Sequence, residues 1–264
     1  MARKMLLGVA AALVLLALVR PGTNLTLRGA EPSPWVDISP PQLITLEPGS
    51  YLLFGRYLDE PILWQVIAVD DGRPLLFSAY VLSFKAFSAA EHAAEISANW
   101  QRSTLRQWLN AVDERIRWED TPPSAEHLRY NAYVNESGFL HDFTASELAL
   151  IHHGGDRVFL LSRAQLQTLS AAQRRRAPTR AALAQDNSPY LFLRPFSWYW
   201  TIEPFGTNAQ SVLAVTQRGS FYQSIATDGM NGVCPALYFA EIAVHSVGGN
   251  GSRTMPFQVI GGAP

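Results

Sequence analysis

Histidines and carboxylates are the residues of this sequence most suited to chemistry. His152 and His153 stand side by side ahead of Gly154-Gly155-Asp156, with His141 upstream. A metal site needs several converging ligands, and neighbours in an extended strand face opposite ways, so the pair does not by itself define a zinc site. At a helix C-terminus an imidazolium complements the dipole, and that capping role is the expected one. Nucleophilic hydrolysis needs a serine on a strained turn with a histidine and a carboxylate in reach. No Gly-x-Ser-x-Gly occurs, and Arg218-Gly219-Ser220-Phe221 lacks that shape. An acid–base hydrolase would instead draw on Glu203, Asp228 and a histidine. The single cysteine, Cys234, lies between Val233 and Pro235 with no cationic neighbour in sequence to activate it,. It reads as a small buried hydrophobe and can form no intramolecular disulfide.

Recognition has more material to work with. Phe192, Phe196, Trp198, Tyr199, Trp200, Phe205, Phe221 and Tyr222 crowd the last third of the chain. Most tryptophans are packing residues, but alternation along Phe196 to Trp200 turns some rings outward if that segment is extended. Exposed aromatics flanked by amides are the means of glycan or protein recognition. The candidate ligand-binding residues are Trp198, Trp200, Glu203, Asn208, Asp228 and Asn231, on loops between Tyr199 and Asn231. The leading expectation is a noncatalytic module that recognises a glycan or protein of a cell envelope. The alternatives are the acid–base hydrolase and a structural interaction domain with an exposed apolar patch.

The elements that must position these residues follow from pattern. Tyr51 to Tyr57, Ile62 to Val69 and Pro74 to Ser78 are β-branched and aromatic, with turn signals at Asp59-Glu60-Pro61 and Asp70-Asp71-Gly72,. They predict a meander. Ser103 caps a helix carrying Leu105, Trp108 and Leu109 on one face. Thr144 to Glu147 and Ser162 to Gln165 are capping boxes, Val158 to Leu161 reads as a short strand, and Pro178 suits the first turn of another helix. Strands return at Tyr190 to Leu193, Ser211 to Thr216, Phe221 to Thr227, Ala236 to Val244 and Phe257 to Ile260. Strands, helices and strands again predict an α+β domain, a mostly antiparallel twisted sheet with flanking helices.

The N-terminus predicts export. Ala2-Arg3-Lys4 precedes an apolar run from Met5 to Val19, and Arg20-Pro21-Gly22 ends it. At about 1.5 Å per helical residue the run spans roughly 22 Å, short of a hydrocarbon core of about 30 Å. That length favours a signal peptide, whereas the lack of an Ala-x-Ala-like cleavage pair favours a retained anchor in contact with the membrane through residues 5–19. The expected organisation is 1–20 signal peptide or anchor, an apolar helix; 21–47 Pro-rich linker; 48–245 globular domain; and 246–264 C-terminal turn and tail. Hydrophobic residues make up 48% and charged residues 16% of the chain, enough for a substantial core. A net charge of −1 gives no global field for nucleic acid, and Arg174-Arg175-Arg176 reads as solvated surface,.

Several phrases also occur in a familiar order. They are Gly55-Arg56-Tyr57 with Glu60 to Trp64, Trp100 with Ser103 to Asn110, Asp156 to Ser162, Ala177-Pro178-Thr179, Tyr199-Trp200 with Pro204, Asn208-Ala209, and Gly232 to Leu237. The chain thereby resembles a widespread bacterial domain family of unknown function over roughly Leu46 to Val244. Where that family has arginines, this chain has Ile202 and Cys234. The family is in turn similar to C-type-lectin-like and sulfatase-modifying-factor-like folds, which implies long binding loops between late strands. Sulfatase-modifying chemistry needs paired cysteines and is excluded. A lectin-type calcium ion would seek Glu203, Asn208, Asp228 and Asn231, but Phe205 stands where an oxygen donor is wanted. Turns held by their own Asn and Asp side chains are the expected arrangement, with no resident cofactor.

Overall fold

A computed structural model describes residues 40–89, 97–119, 133, 136–185 and 195–261. The apolar run at 5–19, most of the Pro-rich stretch and the strand expected at Tyr190 to Leu193 lie outside the described residues. Among the described residues no helix is long and apolar enough to cross a membrane.

The body is α+β and built mostly of strands. Strands β2 (Tyr51–Tyr57), β3 (Glu60–Asp70) and β4 (Arg73–Ser78) form the expected antiparallel meander. The β2–β3 turn is tighter than predicted. Tyr57 pairs with Glu60, so Leu58 and Asp59 alone make the loop, both in the left-handed region at φ 49° and 62°. Two consecutive positive φ values are what a two-residue hairpin needs to match strand twist. Strand β10 (Ala236–Tyr238) adds to β4, and β12 (Phe257–Gln258) runs parallel to β2, completing five strands in the order β10-β4-β3-β2-β12. Pairing shifts between Leu53 and Arg56, where Gly55 has φ 65° and any Cβ would meet the Phe143 ring at 2.2 Å. Only glycine permits that approach.

A second sheet runs β5-β9-β6-β7-β8, from β5 (Ser83–Phe84), β6 (Tyr199–Pro204), β7 (Ser211–Val215), β8 (Phe221–Ile225) and β9 (Gly232–Val233). The segment expected as one strand from Ala236 to Val244 divides, its far end becoming β11 (Ala243–Ser246). Strand β11 pairs with β1 (Gln42–Thr45). Four residues of the expected linker are thus a strand, and Leu46, beside them, is fully buried. Proline at 40, 41 and 48 hid this pairing, because the strand fits between them. The short strand expected at Val158 to Leu161 is a single bridge, Phe159 opposite Ala236.

Helices sit where their caps placed them. Ser103 Oγ accepts from Arg106 N at 3.1 Å at the start of α1 (Thr104–Asn110), which buries Leu105, Trp108 and Leu109. Thr144–Glu147 opens α2 (Ala145–Leu150) and Ser162–Gln165 opens α3 (Arg163–Gln167), both as complete capping boxes. A third box, Ser170–Gln173, opens α4 (Ala171–Arg174). The last helix, α5 (Arg180–Gln185), begins later than expected. Thr179 Oγ1 accepts from Ala182 N at 3.0 Å, so Pro178 precedes the cap and instead bridges Val81.

Two apolar clusters fill the interior, and β6 supplies both. Trp200 packs with Trp64, Phe87 and Trp108 in one; Tyr199 packs with Phe77, Leu161 and Cys234 in the other. A strand covered on both faces buries consecutive residues.

The larger cluster holds a charge at its centre. Lys85 is fully buried, and its ammonium donates to Glu136 Oε2. Nζ also lies 4.6 Å from the Trp108 ring centre and 4.9 Å from that of Tyr133. Glu136 Oε1 accepts from Tyr57 Oη at 2.8 Å, Tyr57 accepts from Gln185 Nε2 at 3.0 Å, and Gln185 Oε1 accepts from Ser83 Oγ at 2.7 Å. Burial lowers the Lys85 pKa and Glu136 opposes that shift; burial, then Glu136, raises those of Tyr57 and Tyr133.

Two outcomes follow for stability. Lys85→Met leaves the Glu136 carboxylate without its cation and should cost about 3–5 kcal/mol in urea denaturation, whereas Lys85→Met with Glu136→Leu should cost less. Burial also pushes the Cys234 thiol up from 9.0 to about 12, and raises Tyr57, Tyr133 and Tyr199. A raised folded-state pKa stabilises fully below the unfolded value and is lost as pH climbs through the folded one. Above pH 9, each such group should therefore erode stability by about 1.4 kcal/mol per pH unit once its unfolded counterpart ionises. Lys85, with its lowered pKa, works in the opposite sense. Cys234→Ala should flatten the decline that starts near pH 9, read from denaturation midpoints across an alkaline series.

Candidate functional site

The six candidate ligand-binding residues do not form one site. Trp200 is buried, 1% exposed, and donates Nε1 to the Lys85 carbonyl at 2.8 Å. The outward-facing role expected for this ring fails because β6 has core on both sides. Glu203 Oε1 accepts from Arg163 N at 3.1 Å, tying β6 to the start of α3. Asn208 Oδ1 accepts from Gln210 N at 2.9 Å within its own turn. Asp228 and Asn231 bond each other at 3.0 Å and share Ser224 Oγ, at 3.2 and 2.8 Å. The oxygens of Asn208 and Asp228 thus stabilise their own turns, whereas that of Glu203 serves a distant helix start. No group of three or more His, Cys, Asp or Glu able to hold a metal occurs among the described residues.

Trp198 alone of the six lines an open surface groove. Its indole donates to Gln217 Oε1 and meets Tyr222 edge-on at 6.0 Å. Thr216, Arg218, Ser220 and Phe221 complete that hollow.

A better-defined cleft of about 440 Å³ lies elsewhere. Its size falls within the roughly 300–1,000 Å³ of small-molecule sites. The β3–β4 turn brings Asp70, Asp71 and Arg73 to one side. The 3-10 turn Trp100–Arg102 brings Trp100 and Gln101, the segment after α2 brings His152 and Asp156, and Phe159, Ile202 and Tyr238 complete the wall. Each turn is set locally. Asn99 Oδ1 accepts from Gln101 N at 2.9 Å, and Asp71 and Gly72 adopt φ 51° and 76° to close the hairpin.

Asp156 is the hub. Its Oδ2 accepts from Trp100 Nε1 at 2.7 Å, and its two oxygens accept from Arg106 Nε at 2.8 and 3.0 Å, with Arg106 Nη2 at 2.7 Å. A two-pronged guanidinium bond plus an indole donor fixes the orientation of the carboxylate and of the Trp100 ring. On the facing side Arg73 Nη1 lies 2.8 Å from His152 Nε2. Arginine only donates, so Nε2 accepts and the proton resides on Nδ1. The capping role expected for His152 gives way to this contact, and His153 likewise accepts from Arg157 Nε at 3.0 Å. Phe159 stacks on Tyr238 at 5.7 Å, and Tyr238 Oη donates to Asp70 Oδ2 at 2.7 Å. Burial, then Asp70, pushes the Tyr238 phenol up to about 12.

The cleft thus offers two half-buried aromatic rings, Phe159 and Tyr238, beside the edge of the buried Trp100, together with carboxylates, one amide and one guanidinium. Asp70, Asp156, His152 and Arg73 are each hydrogen-bonded to a neighbour, whereas the exposed Asp71 carboxylate lies 3.6 Å from Arg73 Nη2. Sequence reasoning placed Asp70-Asp71-Gly72 as a turn and Trp100 and Asp156 as family phrases. Nothing in their spacing signals that segments 30 to 168 residues apart meet.

The chain belongs to the DUF6273 family, described as a domain of unknown function, whose model matches residues 71–240. All the cleft residues except Asp70 fall inside that match. No curated protein and no solved structure matches the chain.

Asp70→Asn should lower the Tyr238 ionisation from about 12 toward its ordinary value while keeping the share due to burial. An ultraviolet difference titration reads this directly, and an unchanged titration would place Asp70 away from the phenol.

Proposed function

With membership of the DUF6273 family as premise, we propose that the protein is a noncatalytic, extracytoplasmic recognition module for a hydroxyl-rich segment of an envelope glycan. The observation that carries this reading is the Trp100–Asp156–Arg106 constellation facing Tyr238–Asp70 across one cleft. Sugar rings present apolar C–H faces and hydroxyl edges. Aromatic faces take the former; the Asp70 and Asp156 carboxylates, held by their own hydrogen bonds, take the latter at little ordering cost, with the exposed Gln101 amide beside them,. Ile202, where the resembled family has an arginine, gives this cleft an apolar patch in place of a charge.

Export rests on the basic n-region and apolar run at the N-terminus, which reads as signal peptide or anchor,. We also take the body as C-type-lectin-like, a reading supported by antiparallel sheets flanked by short helices, with the β6–β9 region as the loop-bearing half. No calcium is required in this reading, because Asn208 Oδ1 and both Asp228 carboxylate oxygens accept hydrogen bonds within their own turns.

The full-length chain in detergent, applied to an array of peptidoglycan fragments and envelope polysaccharides, should bind saturably and leave the glycan intact. Gln101→Ala and Asp71→Ala, both at exposed positions, should each weaken binding by about tenfold, the loss of one or two good hydrogen bonds. Cleavage of the bound glycan, or affinity unchanged in both variants, would overturn the reading. Fractionation of cells should place the protein outside the cytoplasm.

A further inference from the structure

The three consecutive arginines read from the sequence as one solvated cluster, but they part company in the fold. Arg174 is a structural brace: Nε donates to Gly219 O at 2.7 Å, and Nη1 donates to Leu169 O at 2.6 Å. Arg175 stays exposed, with its guanidinium 4.7 Å from the Phe196 ring centre. Arg176 turns inward and is 5% exposed, stacked 4.3 Å over Phe77.

Arg176 and Arg175 line a second cleft, of about 300 Å³, on the side of the body formed by Tyr51, Gln65, Ala79, Gln173 and Arg253. Arg176 Nε donates to Ser78 O at 2.9 Å and Nη1 to Gln173 O at 2.5 Å, while Nη2 reaches only the Gln65 amide oxygen, at 3.5 Å. Carbonyls and an amide satisfy its donors without neutralising its charge. None of the residues lining the cleft is acidic, and no ion pair to Arg175, Arg176 or Arg253 occurs among the described residues. Burial lowers the Arg176 pKa, against the opposing influence of Tyr199, Cys234 and Tyr51, and the nearby Arg253 adds a smaller lowering. A buried cation with a second cation beside it is costly unless an anion joins them.

The third guanidinium is held in place from the opposite side. Arg253 rides on a loop in which Gly249 and Gly251 adopt φ 87° and 78°, and a Cβ on Gly249 would meet Pro256 O at 1.9 Å. Asn250 N donates to Met255 O at 2.9 Å, and Gly251 O accepts from Tyr51 N at 2.7 Å. This loop sets the Arg253 guanidinium 5.3 Å from the Tyr80 ring centre and 5.9 Å from that of Tyr51. Guanidiniums thus approach one space from the floor, from the end of α4 and from the C-terminal loop.

We propose that this cleft binds a phosphoryl group, borne by a small or polymeric ligand, between Arg175, Arg176 and Arg253. A planar carboxylate is satisfied by a single guanidinium fork. Cations arriving from three directions suit a tetrahedral oxyanion with several charged oxygens. The site is independent of the glycan cleft, with which it shares no residue.

Inorganic phosphate is the probe, titrated calorimetrically into the full-length protein at low ionic strength, with acetate at equal ionic strength as the planar comparison. Phosphate should bind and acetate should bind at least about tenfold more weakly. Arg175→Ala and Arg253→Ala, both at exposed positions expected to fold normally, should each weaken phosphate binding by about tenfold, and Gln101→Ala should leave it unchanged. Phosphate should also raise the melting temperature of the wild type and fail to raise that of Arg176→Gln, whatever that variant's own stability. Glycerol phosphate and vesicles of an anionic phospholipid, as further arms, separate a soluble or polymeric phosphodiester from a lipid headgroup. Absent phosphate binding, equal binding of acetate, or full binding by the Arg175→Ala/Arg253→Ala double variant would overturn the proposal. None of these results bears on whether the other cleft binds glycan.

Discussion

The buried contact between Lys85 and Glu136 is the constraint on which the rest of the body depends. An ammonium placed between Trp108 and Tyr133 carries a desolvation cost that calls for a close counter-charge,. Glu136 supplies it, and its second oxygen enlists Tyr57, which enlists Gln185 and then Ser83. One chain of bonds thereby pins β2, β5, α5 and the segment around Glu136 to a common centre. Trp200 closes the arrangement by donating to the Lys85 carbonyl, so β6 is registered against β5 from within the core. A slip of any partner would strand a charge or a donor away from water. Such a network therefore selects one packing even where it adds little net stability.

That registration has a consequence for the surface. Because β6 is held with Tyr199 and Trp200 turned into opposite clusters, its later residue Ile202 is left at the wall of the first cleft. On the other wall, α1 presents Arg106 to Asp156, and Asp156 orients Trp100. Helix α1 is itself anchored by Leu105, Trp108 and Leu109, and Trp108 is the ring that faces Lys85. One wall of the cleft, Arg106 with Asp156 and Trp100, is thus held by the outer ends of core elements. Preorganisation of this sort favours recognition, since little ordering remains to be done on binding.

The two clefts divide the molecule by charge. One gathers Asp70, Asp71 and Asp156 around aromatic rings; the other gathers Arg175, Arg176 and Arg253 with no acid in its lining. With a net charge of −1 the chain has almost no overall field, so specificity rests on these local concentrations. The β2–β3–β4 sheet contributes to both, through Asp70 to Arg73 at its turn and through Tyr51 and Gln65. Its first two strands precede the part of the chain that matches the family.

Local structure was written in contiguous residues. Hydroxyl caps at Ser103, Thr144 and Ser162, the aromatic and β-branched runs of β2 to β4, and the Asp-Asp-Gly turn act over a few residues, and each formed where its pattern lay. The inward fate of Cys234 was also legible from its apolar neighbours. Only the tertiary structure decided which side chains meet. Trp200 was expected to face outward, and burial of β6 on both faces reversed that. Gln42 to Thr45 became a strand because β11, some 200 residues away, offered a free edge. Asp156 found Trp100 and Arg106, and Arg176 found Arg253, because packing brought distant segments together. Capping and turn chemistry are encoded in contiguous residues, whereas charge pairing across a cleft depends on the register of sheets, and no short stretch of sequence contains that register.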